Sequence, residues 1–230
     1  MSNLIQGSVF FGVVISLLAY AFGSFLRKKL KLAVLNPLLI AIILIIIILG
    51  IFHISYKKYY ASAKYLSYLL TPATVALAIP LYEQLQVLKD HWKAILASIL
   101  AGVFTSMFSI LLMADLFGFT HKEYVTMLPK SITTAIGMSL SKQMGGQVTI
   151  TVAVIIITGV FGSILAELAF RIFRIHHPVA KGLAMGTAAH AIGTAKAMEL
   201  GELEGAMASL SIAVAGLITV LTASIFSNFR

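Results

Sequence analysis

Residues 176–205 read HHPVAKGLAMGTAAHAIGTAKAMELGELEG, and the reading of this stretch decides the fold. It is apolar enough for a bilayer, yet too rich in glycine and polar groups for a plain span. His190 and Lys196 flank Gly193, with Thr187 and Thr194 close by. Ionisable groups and non-helical backbone persist at bilayer depth only where they are buried in protein or face a water-filled cavity. The stretch therefore predicts an interrupted helix at a pathway or a binding site rather than an anchor.

The surrounding sequence supplies the membrane. The chain has 230 residues, 60% of them hydrophobic and only 11% charged, with a mean hydropathy of +0.99. Soluble domains carry about 25% charged residues. Apolar runs at 4–26, 32–52, 92–113, 147–170 and 206–226 approach the roughly 20 residues that cross a bilayer core. The run at 4–26 lacks a basic n-region and a clear cleavage site, so it is read as a retained span. The chain contains no cysteine, which excludes disulfides and thiolate metal sites. Its net charge of +9 has two readings: basic loops held against anionic lipid, or a positive field favouring an anionic solute. No soluble basic domain exists to bind nucleic acid.

Two further interrupted segments precede the first one. Residues 68–85 are YLLTPATVALAIPLYEQL, and residues 129–146 are PKSITTAIGMSLSKQMGG. Proline removes a backbone donor and breaks the helical ladder, which in a membrane marks a discontinuous or re-entrant helix. The interruptions repeat. ATVALAIPLYEQL at 73–85 aligns with ITTAIGMSLSKQM at 132–144, and GVFTS at 102–106 with GVFGS at 159–163. A third unit is fainter: AIG recurs at 135–137 and 191–193, followed by MG at 144–145 and LG at 200–201. If the segments re-enter, each unit crosses the membrane once and successive units are inverted; if they cross, the units are parallel. Arg27, Lys28, Lys29 and Lys31 favour a cytoplasmic first loop, but Lys57, Lys58 and Lys64 then fall outside, so the orientation stays open. The expected fold is an all-α polytopic membrane protein with about five plain transmembrane helices and three interrupted or re-entrant segments. It forms one membrane domain, with residues 1–60 as scaffold helices and 66–230 as the repeat-containing core.

Several residues could carry chemistry. Lys130, Thr134, Gly137 and Ser141 share one helix face, with Thr133 beside them, and a cation at the end of a polar stripe can hold a carboxylate. The plainer reading has Lys130 snorkelling to the interface and the threonines bonding their own backbone. Thr187, His190 and Thr194 share another face; a break at Gly193 would bring Lys196 to His190. The plainer reading of His190 is a neutral ring hydrogen-bonded between helices. Pro72, beside Thr74, reads either as the unwound centre of the first segment, where half-helix amides bind anions, or as a simple kink. Gly137 can permit a break in the second. Glu167 is expected to pair with Arg171, and Asn36-Pro37 to begin a helix. No metal site or cofactor is expected, and motifs for hydrolase or nucleotide chemistry are missing, so an enzyme is not expected.

These three interrupted segments, in this order, resemble the LrgB/CidB family of bacterial membrane proteins over essentially the whole chain. One departure is Ala135, where the family commonly has proline after the paired threonines. The resemblance implies two functions. One is holin/antiholin-like control of murein hydrolase activity and cell lysis. The other is small-carboxylate transport, as in the similar plastid glycolate/glycerate translocator and bacterial pyruvate facilitators. It also implies a separately encoded LrgA/CidA-type membrane subunit and the bacterial cytoplasmic membrane. The expectation taken forward is a monocarboxylate carrier working by alternating access, with Lys130, Thr133, Thr134, His190, Thr194, Lys196 and Thr74 at the substrate site and a possible homodimer. A holin needs no repeated interrupted helices with positioned Lys, His and Thr, whereas a carrier does.

Overall fold

The computed structural model describes residues 10–30, 35–76 and 78–230, excepting the side chains of Leu70, Thr71, Thr74, Pro80 and Leu81. Among the described residues all regular structure is helical. The chain divides into two compact units, Met1–Ala76 and Leu77–Arg230. That division falls inside the first interrupted segment, later than the scaffold boundary expected near residue 60.

The first unit holds α1 (Phe11–Leu30), α2 (Pro37–Ile51), α3 (Tyr56–Ala63), a 3-10 turn (Lys64–Leu69) and α4 (Leu70–Ala76). The expected spans at 4–26 and 32–52 are described from residues 10 and 35 onward. The Asn36 side chain accepts hydrogen bonds from the Leu38 and Leu39 amides. Pro37 takes the first helical position, where no amide partner is needed. Gly23 lets α1 approach Pro37 and Ile40 of α2. α3 is tied to α1: the Gly12 amide donates to Ser62 Oγ at 2.7 Å, and the Ser16 and Tyr59 hydroxyls lie 2.7 Å apart. Pro72 sits in the first turn of α4, where proline is tolerated. The backbone changes from 3-10 to α before it, at Leu70, so Pro72 is not the centre of a break there.

The second unit holds α5 (Ala78–Glu83), α6 (Leu85–Leu116), α7 (His121–Met127), α8 (Thr134–Gln143), α9 (Val148–Ile172), α10 (Pro178–Leu200) and α11 (Glu202–Ser227). With α1, the helices α6, α9 and α11 are long and apolar enough to cross a membrane; α2 is apolar but shorter. α6 buries Ile95, Ile99, Val103, Met107, Ile110 and Ala114, a stripe at the three-to-four-residue spacing of one helix face. Phe108 and Leu112 of α6 and Leu217 and Leu221 of α11 are exposed, which suits hydrocarbon and would be a liability in water. Lipid gives apolar faces no reason to associate, so close approach of small residues holds such bundles together. Gly182 of α10 abuts Glu204 and Met207 of α11, and Gly186 abuts Ala208 and Ser211.

The other two interrupted segments are hairpins. In α10 the helix breaks at His190, at φ 42 and ψ −135, a region that favours glycine. The chain doubles back there. A side-chain atom on Gly193 would collide with the Met185 carbonyl, eight residues earlier; in a straight helix these positions lie about 12 Å apart along the axis. The tip reaches the middle of α9, with His190 against Gly159 and Ala189 against Gly162. The returning arm then pairs Lys196 with Glu167 near the end of α9. Ala166, Phe170, Met185, Ala197 and Ala208 pack as one cluster at that end. So residues 178–189 go in, 191–200 come back, and α11 starts from the same end.

α7 and α8 make the matching hairpin from the opposite end, turning at residues 128–133. The turn closes with Lys130 N bonded to Met127 O and Ile132 N to Pro129 O. Its mouth lies at the α6 and α11 C-termini, where Arg230 pairs with Asp115 and the Tyr124 hydroxyl donates to Phe226 O. Its returning arm runs antiparallel to α9, with Ser141 bonded to Thr151 at 2.7 Å and Gly137 packed on Ile155. Ile155 also supplies the carbonyl that holds His190. Both hairpin tips therefore meet α9 at one level. Both of these segments therefore leave and return to one end of the bundle, and the two hairpins enter from opposite ends. The recurrent AIG explains itself here: Gly137 and Gly193 occupy the same place, one in each returning arm, facing the carbonyl eight residues earlier (Pro129 and Met185).

Candidate functional site

A cavity of about 550 Å³ lies between α6 and the inbound arm of α10 and ends on the tip of the first hairpin. Ser98, Thr105, Ser106 and Ser109 line it from α6, Lys130 and Ser131 from the tip, and Ala184, Thr187 and Ala188 from α10. Small side chains make the space: Gly102 is opposite Thr187, whose methyl would lie 2.7 Å from any added Cβ.

The cation at its inner end is Lys130. Its Nζ donates to Ser131 Oγ at 3.0 Å, and Ser131 lies 3.1 Å from Ser106 Oγ on α6. Among the described residues no carboxylate pairs with Lys130; the described ion pairs are those of Lys196 and Arg230. A half-buried ammonium with only a neutral partner keeps donor capacity for an anion. Near it, Thr187 Oγ1 is buried without a hydrogen-bond partner among the described residues.

The expected site residues do not converge on one place. Lys130 does not continue the α8 stripe, because α8 begins at Thr134 and the turn after Pro129 intervenes. Thr133 is the residue before α8 and makes no side-chain cap bond; Thr134 is half-buried in the first turn. Gly137 lies within α8, its amide bonded to Thr133 O, so the break precedes it. His190 is buried with Nε2 donating to Ile155 O at 2.9 Å, and Thr194 Oγ1 donates back to His190 O at 3.1 Å. These two bonds stabilise the reversal and hold the His190 ring between α10 and α9. The reversal falls at His190, not Gly193. Lys196 does not join His190: its Nζ is 2.6 Å from Glu167 and 3.4 Å from Glu199. Glu167 thus pairs with Lys196 rather than the expected Arg171. The side chain of Thr74 lies outside the described residues. Ser106 and Ser131 were missed. Ser106 ends the GVFTS motif noted only as a repeat, and Ser131 follows Lys130 directly; both types pass unnoticed in apolar helices, where serine usually bonds its own backbone.

Residues 16–229 match the LrgB-like family. Relatives named antiholin-like protein LrgB, from Bacillus cereus (strain B4264) and Bacillus anthracis (strain A0248), are each 39% identical over 221 residues, covering 96% of this chain and 96% of their own. Those names match the antiholin-like description and say nothing of carboxylates. No solved structure matches the chain.

Proposed function

The chain belongs to the LrgB-like family, and from that premise we propose that it is a carrier for small monocarboxylates of the pyruvate, glycolate and glycerate class in the bacterial cytoplasmic membrane. The observation that carries this reading is the Lys130 ammonium at the end of a cavity whose largely apolar wall carries a few serine and threonine hydroxyls, with only a serine for partner. Inverted repeats whose broken helices meet at mid-depth are the general architecture of alternating access. The carboxylate would sit on Lys130 and Ser131, and the hairpin tips would rock against α6 to expose it to either side. An LrgA/CidA-type subunit would work with it, and a homodimer would give the moving core a fixed partner.

Within the second unit, basic residues are uneven between the two ends. Lys89, Lys93, Arg171, Arg174 and Lys181 lie at the mouth of the α10 hairpin; Lys122, Lys142 and Arg230 lie at the other. The positive-inside rule supports the first end as cytoplasmic.

The second reading is an antiholin-like regulator of murein hydrolase activity and lysis, and the relatives' names favour it directly. Proteoliposome uptake of labelled pyruvate, glycolate and glycerate, with and without the LrgA-type subunit, separates the two. The carrier predicts saturable, competable uptake that falls with Lys130→Gln. Unselective leakage of unrelated dyes, without saturation, would replace the carrier with the lysis reading.

A further inference from the structure

The carrier reading leaves Thr187 unexplained. Its residue is 7% exposed, and its Oγ1 is the buried side-chain oxygen or nitrogen left without a partner among the described residues. Elsewhere in this bundle buried hydroxyls are satisfied: Thr151 by Thr126 O and Ser141, Thr194 by His190 O, Ser209 by Gly205 O. A helical threonine ordinarily turns its hydroxyl onto a carbonyl one turn back. The Thr187 residue instead lines the 550 Å³ cavity with its methyl toward Gly102 and its Oγ1 covered, and with Ser106 and Ser131 it also lines a void of about 10 Å³ beyond it. It therefore stands over the junction at which the Lys130–Ser131–Ser106 chain closes the cavity. Gly102 leaves no side chain on α6 to compete for the space before it.

Resting on the carrier reading, we propose that Thr187 is the specificity-determining contact of this cavity. Turned about its Cα–Cβ bond, its Oγ1 hydrogen-bonds an uncharged oxygen that the anion carries beside its carboxylate, while Lys130 and Ser131 hold the charge. The site then takes small anions with a hydroxyl or carbonyl adjacent to the carboxylate and discriminates against plain alkyl carboxylates of the same length. The discrimination arises because an anion lacking that oxygen leaves a buried hydroxyl unpaired. Charge recognition alone, at Lys130, cannot separate such pairs.

The test is equilibrium binding of glycolate against acetate, and of lactate against propionate, to the detergent-purified full chain. It compares the wild type with Thr187→Val, which keeps the shape and removes the hydroxyl, and with Thr187→Ser, which restores it. The wild type is expected to prefer glycolate and lactate by at least about tenfold. Thr187→Val is expected to lose the preference, with glycolate and acetate, and lactate and propionate, binding about equally, and Thr187→Ser to recover most of it. Equal binding of each pair by the wild type, or a Thr187→Val change that is uniform across all four anions, means that a water in the small void satisfies the hydroxyl. That overturns the specificity role and leaves the carrier standing. Binding of none of the four overturns both.

Discussion

The two hairpins are built on one plan and finished in different chemistry. The first turns gradually through residues 128–133, is capped at its mouth by the Thr120–Glu123 capping box, and presents Lys130 and Ser131 to the cavity. The second turns at a single residue, His190, and spends its polar groups on itself: the ring on Ile155, Thr194 on the His190 carbonyl, Lys196 on two glutamates. The difference teaches that polar side chains at a helix break serve two ends. At a tight reversal they satisfy backbone that the break exposes; at a wide one they stay available for a ligand.

The largest effect that can break this comparison is steric. At Gly193 a Cβ would meet the Met185 backbone, which cannot yield, whereas at Gly137 it meets first the Ile155 terminal methyl, which can. Gly193→Ala is expected to cost about 3 kcal/mol and Gly137→Ala under about 1 kcal/mol. Thermal unfolding in detergent reads both, and equal costs would deny the fold-back at His190.

Next comes charge. Lys130→Gln is expected to weaken anion binding on the order of 10–100-fold with the fold intact, because a charge-assisted contact is lost from an otherwise unpaired cation. Lys196→Gln is expected to leave anion binding unchanged. It should cost at most about 1 kcal/mol of stability, its carboxylate partners being half-exposed. Anion titration of both variants checks this, and the reverse pattern would move the site to the second hairpin.

Much of this was legible in the sequence. Polytopic class, the interrupted segments and the repeat follow from hydropathy, proline and glycine, and the AIG echo marked the returning arms. Two things were not legible. A residue's helix face has meaning only if the helix is continuous, so the stripe from Lys130 to Ser141 dissolved once the chain turned after Pro129. Likewise, glycine marks where backbone comes close, not where it turns, and the reversal fell on His190. A glycine at that position fits the observed φ and ψ. His190→Gly is therefore expected to destabilise by about 1 kcal/mol less than His190→Ala, both losing the bond to Ile155; an equal loss would mean the reversal stores no strain.

The smallest effect lies at the mouth of the first hairpin, outside the spans. The Thr120 amide and hydroxyl hold the Glu123 carboxyl below the ordinary carboxylate range. Its contribution is therefore complete above that ordinary range and is lost as pH falls through the lowered value. Stability of Glu123→Gln is expected to lack this acid-side decline, a difference visible in melting curves between neutral and acidic pH.

The central claim is that the hairpins re-enter from opposite ends. The chain has no cysteine, so single cysteines at the exposed positions Lys122, Lys142, His177 and Glu202 can be probed in oriented vesicles with an impermeant thiol reagent. Lys122→Cys and Lys142→Cys are predicted to label from one side, and His177→Cys and Glu202→Cys from the other. Labelling of Lys122→Cys and Lys142→Cys from opposite sides would mean that the segment between them crosses the membrane, and would contradict the account.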